Sequence, residues 1–308
     1  ASPRRTKSPG RQGNGKRLAP KSELKKIKQA VAARRRAGEQ DVYTDEEVAR
    51  AGWHLDALKL ADGPEEAHPV GGMALSVPKV RQEETWDCGL ACAQMALRAL
   101  GVGPQECSLA ALRSRLSCSS VWSIDLAFLL LDYGVAAEYV TTSRGVDEKG
   151  LASEAFYRDC LGGDAPRIRA LFTRAAAEGV AVRRASLSAA QLCNLLQEEE
   201  ALVVLLLDVS GVYADAPWIS ARGYAGHYVL LVGVEGERFL VKDPARKEEC
   251  LLLPISLVDK ARRAHGTDED LLLVPFEGPP PKVPAAGSVS RLVQIAEEVA
   301  AAEAGTGS

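Results

Sequence analysis

The chain has 308 residues, 46% of them apolar and four of them Trp, enough to build a buried core and to exclude wholesale disorder. Its net charge of −3 hides two opposed parts: thirteen basic and two acidic residues over 1–40, or +11, and 25 basic and 39 acidic over the rest, or −14. An acidic body with a basic arm excludes a nucleic-acid-binding domain and leaves the arm a weak contact with a polyanion or import receptor. No run of eighteen apolar residues occurs, which excludes a membrane-spanning helix, and the polar start does not read as a secretory signal.

In chain order, residues 1–40 read as a disordered basic arm with a short helix from Ser22. The clusters Lys25-Lys26 and Arg34-Arg35-Arg36 are a solvated tail in preference to a nuclear-import or organelle-targeting signal, and cytosol or nucleus is the expected compartment. Residues 41–75 form an acidic lead-in with one helix, Thr44–Gly52. A domain is expected over 76–277, opening with a strand at Ser76–Val80 and a helix from Asp87-Cys88-Gly89 to Leu100, stopped by Gly101. Helices follow at Ser108–Leu116 and Ser123–Tyr133, the latter with Ser123 as N-cap, then a strand at Val135–Thr141. Further helices are expected at Asp164–Glu178, Ser188–Glu198 and Ile255–His265, and strands at Ala201–Val209, Tyr228–Val234, Arg238–Lys242 and Leu271–Val274. Residues 278–308 read as a Pro-rich linker and an amphipathic helix near Ser288–Ala302. Helices first and an antiparallel sheet later indicate α+β in place of a βαβ repeat.

Seven Cys (88, 92, 107, 118, 160, 193 and 250), an odd number with no CxxC pair, fit neither a disulfide framework nor a structural zinc site and read as reduced thiols. Cys88 stands out because it sits in the first turn of a helix, where open N–H groups and the helix dipole favour a thiolate. Gln82 lies on the approach, placed to donate to an oxyanion beside that sulfur, and Asp87 is placed to cap the helix or tune the site. Of the four His (54, 68, 227 and 265), only His227 begins an apolar run, where burial calls for a partner. In a hairpin centred on Gly236, Asp243 falls roughly opposite His227. Each residue alone is more often structural: a packed thiol, a core His, a turn-forming Asp before Pro244. In the order Gln, Cys, His, Asp they suit a thiol-hydrolase site. Cys92, one turn after Cys88, is read as core.

The segments Val77-Pro78, Gln82, Trp86-Asp87-Cys88-Gly89-Leu90-Ala91-Cys92, Gly226-His227-Tyr228 and Lys242-Asp243-Pro244-Ala245 together resemble the guanylyl cyclase domain-containing family. Trp122-Ser123-Ile124-Asp125-Leu126 and Gly266-Thr267-Asp268-Glu269-Asp270-Leu271 extend the match to about residues 76–276. The same skeleton is similar to the papain-like leader-peptidase domains of bacterial peptide exporters. That resemblance implies a papain-like α+β fold, a helix carrying the Cys against an antiparallel sheet carrying the His and Asp. It also implies roles for Gln82 (oxyanion donor), Cys88 (nucleophile), His227 (base) and Asp243 (orienter). The expected function is therefore a soluble thiol hydrolase acting on a peptide, amide or thioester, without cofactor or metal. The family name implies a second function, cyclisation of GTP to cyclic GMP with Mg²⁺ or Mn²⁺, although no Gly-rich phosphate cradle is visible. A third is a binding or regulatory module without turnover.

Overall fold

The computed structural model describes residues 77–116, 120–145, 161–198, 201–212 and 224–306. The basic arm, the acidic lead-in with its Thr44–Gly52 helix, His54, His68, Cys118 and Cys160 lie outside the described residues.

Seven strands form one sheet in the order β2-β1-β7-β3-β4-β5-β6. These are β1 (Glu138–Thr141), β2 (Ala181–Arg184), β3 (Ala201–Asp208), β4 (Gly226–Glu235), β5 (Arg238–Lys242), β6 (Leu251–Pro254) and β7 (Leu271–Pro275). Five neighbouring pairs are antiparallel. The pair β1–β2 is parallel, joined through a helix, so the α+β fold contains one βαβ crossover that the strand pattern did not suggest. Strands β3 and β4 are nearly all apolar because both their faces are covered.

One face carries α1 (Cys88–Ala99), α2 (Leu109–Arg113), α3 (Ser123–Asp132), α4 (Leu161–Glu178) and α7 (Arg291–Thr306). The other carries α5 (Ala189–Gln197) and α6 (Ile255–Arg262). Strand alternation sorts the side chains between the two layers: Val204, Leu206, Tyr228 and Leu230 face the α1 side, whereas Leu205, Leu207, Val229 and Leu231 face α5 and α6. Helix α1 is buried from Cys88 to Leu97 and ends at Gly101, whose φ of +93° suits glycine. The C-terminal helix joins the same core through Leu292 and Ile295, with Arg291 paired to Asp132 at 2.8 Å.

Three local expectations change. Residues 77–80 lie outside any strand and run as an irregular approach to α1. Strands β2 and β6, the two edge strands of the sheet, were not anticipated. Ser123 is not the N-cap of α3; Trp122 occupies that position, and its N–H donates to Asp125 Oδ2 at 2.9 Å. Among the described residues no helix is long and apolar enough to cross a membrane.

A buried charge cluster fastens α3 to α4. Arg167 donates to Asp125 and, at 3.0 Å, to Asp164 Oδ1, while Trp122 Nε1 donates to Asp164 Oδ2 at 2.9 Å. Burial raises the Asp125 carboxyl above its usual range, and Arg167 opposes that rise. Removing the guanidinium in Arg167→Met strands two buried carboxylates, so urea unfolding is expected to show a loss of about 3–5 kcal/mol. A loss below about 1 kcal/mol, the range of a surface pair, would contradict this account.

Candidate active site

The sulfur is positioned by its approach segment. Residues 77–87 pass the end of β5, where Gln82 N–H donates to Pro244 O at 3.0 Å and Lys79 Nζ donates to Asp243 O. Asp87, fully buried, receives Glu84 N–H at 3.0 Å and the Arg113 guanidinium. Arg113 also meets Glu83 at 2.8 Å and lies 5.9 Å from the Trp86 ring centroid. Asp87 occupies the N-cap position of α1, but its side chain makes no capping hydrogen bond and anchors the entry to the helix instead. Gly89 sets the depth of contact, because a Cβ there would stand 2.9 Å from Leu126 Cδ1 and 3.0 Å from Tyr228 Cδ2.

On the sheet, β4 and β5 pair from Glu235↔Arg238 to Leu230↔Lys242, with a bulge between Leu231 and Gly233. The register sets Asp243 near His227 without being level with it, in keeping with the rough opposition expected from hairpin counting. The bulge inserts one residue and shifts the phase of β4, which brings positions 227 and 243 to the same side of the ladder. Strand β4 also runs past β5, leaving room at its start for the tip of α1. Gly226 admits a side chain in place of a backbone or substrate, since a Cβ would lie 2.7 Å from the Tyr224 hydroxyl.

These elements bring Cys88, His227 and Asp243 together. His227 Nε2 donates to Asp243 Oδ1 at 2.8 Å, and the same oxygen receives Ala245 N–H at 2.8 Å, which fixes the carboxylate in a turn. With Nε2 engaged, the hydrogen bond between His227 and Cys88 falls to Nδ1. Tyr228 N–H donates to Cys88 Sγ at 3.5 Å. Cys88 is 6% exposed and His227 4%, so charge in the group is poorly screened. Burial alone pushes the imidazolium down, but the Cys88 charge, the hydrogen bonds to Asp243 and Cys88, and the Asp243 charge outweigh it and raise His227 to about 10.

Gln82 stands beside this group with its amide turned along its own loop. Nε2 donates to Glu84 O at 2.8 Å, while the buried Oε1 makes no hydrogen bond. Lys79 and Tyr228 escaped sequence reasoning; Lys79 was read only as part of the expected strand Ser76–Val80, and Tyr228 only as part of the segment Gly226-His227-Tyr228. Burial lowers the Lys79 amine, with Asp243 acting against it. Cys92 is fully buried within the core, and burial pushes its thiol well up. Burial also raises Cys107 and Cys193 to about 11.

A family model described as guanylylate cyclase matches residues 77–274. The chain is 34% identical over 218 residues to Guanylyl cyclase 1 of Arabidopsis thaliana, covering 66% of this chain and 77% of that protein. Among solved structures, a chain described as a C39-like peptidase from Bacillus anthracis aligns with a TM-score of 0.39 and 13% identity, over 65% of this chain and 95% of that one.

The charge on His227 has a measurable consequence. Its folded value lies above the ordinary 6.5, so its contribution to stability is whole below pH 6.5 and is lost as pH rises from there toward about 10. Ring ¹⁵N NMR is expected to show His227 still protonated at pH 8, and Asp243→Asn is expected to lower its pKa. A wild-type ring titrating near 6.5 would contradict the geometry.

Proposed function

The chain belongs to the guanylylate cyclase family, and we propose that it acts as a papain-like thiol hydrolase on a peptide, isopeptide or other amide or thioester bond. The observation that carries this reading is the contiguity of Cys88, His227 and Asp243. In the proposed cycle the Cys88 thiolate attacks the carbonyl carbon, and the carbonyl π electrons move to oxygen. As the tetrahedral intermediate collapses, His227 Nδ1–H gives its proton to the leaving amine or thiol, leaving a thioester on Cys88. Water then adds to that thioester while His227 takes its proton, and the acid departs as the sulfur regains its charge. Asp243 holds the ring so that Nδ1 faces sulfur. The Cys88 backbone N–H and the second amide hydrogen of Gln82, the first being given to Glu84 O, serve the oxyanion.

Alkylation by iodoacetamide at pH 6 tests the nucleophile. Cys88 is expected to react at least about tenfold faster than the other six thiols, and His227→Ala to slow hydrolysis by about a hundredfold or more. Equal reactivity of all seven thiols would overturn the proposal.

Guanylyl cyclase activity is a second reading, favoured by the family description and the name of the Arabidopsis relative. It calls for carboxylates that hold a metal ion. Of the acidic loop, Glu269 meets Arg262 at 3.2 Å and Ser186 at 2.7 Å, and Asp270 accepts from Tyr139. Among the described residues no group of three or more His, Cys, Asp and Glu is arranged for a metal ion. The described residues do not fit such an ion. Cyclic GMP formed from GTP with Mn²⁺, and lost on replacing Asp268, Glu269 and Asp270, would favour this reading; a rate indifferent to those changes would mark a contaminant.

A further inference from the structure

The segment that delivers Cys88 to the site also grips the far end of the Cys88, His227 and Asp243 group. Lys79 Nζ donates to the main-chain carbonyl of Asp243, and Gln82 N–H donates to the next carbonyl, Pro244 O, at 3.0 Å. Pro244 brings no N–H, so carbonyls are what the approach segment can hold here. One short stretch of chain thus fastens Gln82 to the Asp243 turn before it enters α1.

The turn links that carbonyl to the carboxylate through hydrogen bonds alone. Asp243 O also receives Arg246 N–H at 3.1 Å, which closes a β-turn over residues 243–246. The direction of the Asp243 carbonyl fixes ψ at Asp243, and ψ fixes where the chain lies at Ala245. Ala245 N–H is one donor to Asp243 Oδ1, and His227 Nε2 is another, each at 2.8 Å. Moving the carbonyl therefore moves the N–H that holds the carboxylate against the ring.

Lys79 is half-buried and faces Asp243, Cys92 of α1, Lys242 of β5 and Glu249 of the turn after it. The buried Lys242 gives its own ammonium to Glu249 Oε1 at 2.6 Å, so of the two lysines it is Lys79 that holds Asp243 O. A charged donor makes the stronger hydrogen bond to a carbonyl.

We propose that Lys79 is a positioning residue: by holding the Asp243 carbonyl it sets the turn that aims the Asp243 carboxylate at His227. Its catalytic meaning rests on the hydrolase reading; its effect on the His227–Asp243 pair does not. Two consequences of removing Lys79 have opposite signs at the ring, which is faced by Cys88 from α1 and Asp243 from the turn. Loss of a nearby cation alone raises the pKa of an imidazolium, whereas a loosened carboxylate partner lowers it. Positioning predicts the fall.

The test follows the full chain by ring ¹⁵N NMR of His227, with alkylation of Cys88 by iodoacetamide at pH 6 measured in parallel. Lys79→Met keeps the alkyl stem and removes the donor. It is expected to lower the His227 pKa by about one pH unit, a tenfold change in acidity, and to slow alkylation by roughly threefold to tenfold. Lys79→Arg, which keeps a cationic donor, is expected to restore both. A His227 titration that stays in place or moves upward in Lys79→Met would overturn the proposal, as would a Lys79→Arg protein that behaves like Lys79→Met. Should Lys79→Met fail to fold, Lys79→Gln decides by the same two readouts. If Cys88 of the wild type proves no more reactive than the other thiols, the hydrolase reading falls while the His227 titration still decides on Lys79.

Discussion

The structure depends on the close contact between the tip of α1 and the start of β4. Gly89 makes it possible, since a Cβ there would stand only 2.9 Å from Leu126 and 3.0 Å from Tyr228. Every group around the sulfur follows from that approach: the Tyr228 N–H lies within reach of Sγ, and His227, one residue earlier, turns its ring to the same atom. Substitution at Gly89 would separate the two layers where the chemistry is gathered.

Around this contact the fold works as two clamps. From the helical layer, Arg113 grips Asp87 and Glu83 and fixes the loop entering α1. From the sheet, the bulge in β4 and the turn at Asp243 aim a buried carboxylate at a buried imidazole. Neither ion would be favourable there alone, and each is retained because the other neutralises it. At Cys92, Cys107, Cys193 and Cys250 burial dominates and raises the thiol, with Lys79 opposing at Cys92, Arg98 at Cys107 and Lys242 at Cys250.

Much of this was legible in the residues. Cys88 followed from helix-start chemistry, His227 from its place at the head of an apolar run, and Asp243 from hairpin counting. The bulge was not legible, because a one-residue insertion leaves an apolar run looking continuous; hairpin counting gave the rough opposition of 227 and 243 but not the exact register of β4 against β5. Ser123 read as a cap because capping is the common use of Ser at a helix start, but Trp122 takes that position and the hydroxyl turns to Tyr228. Strands β2 and β6 were hidden by their shortness and by charged or exposed positions that blur alternation. The direction of the Gln82 amide depends on the fold of its own loop, which no spacing rule supplies.

The most direct measurement is a crystal structure of the chain after reaction with a peptide-based electrophile. The account requires a covalent bond at Cys88 Sγ, the His227 ring beside it and still bonded to Asp243, and the adduct oxygen within reach of the Cys88 N–H and Gln82. An adduct on another thiol, or an unmodified Cys88 with His227 turned away from it, would contradict the account.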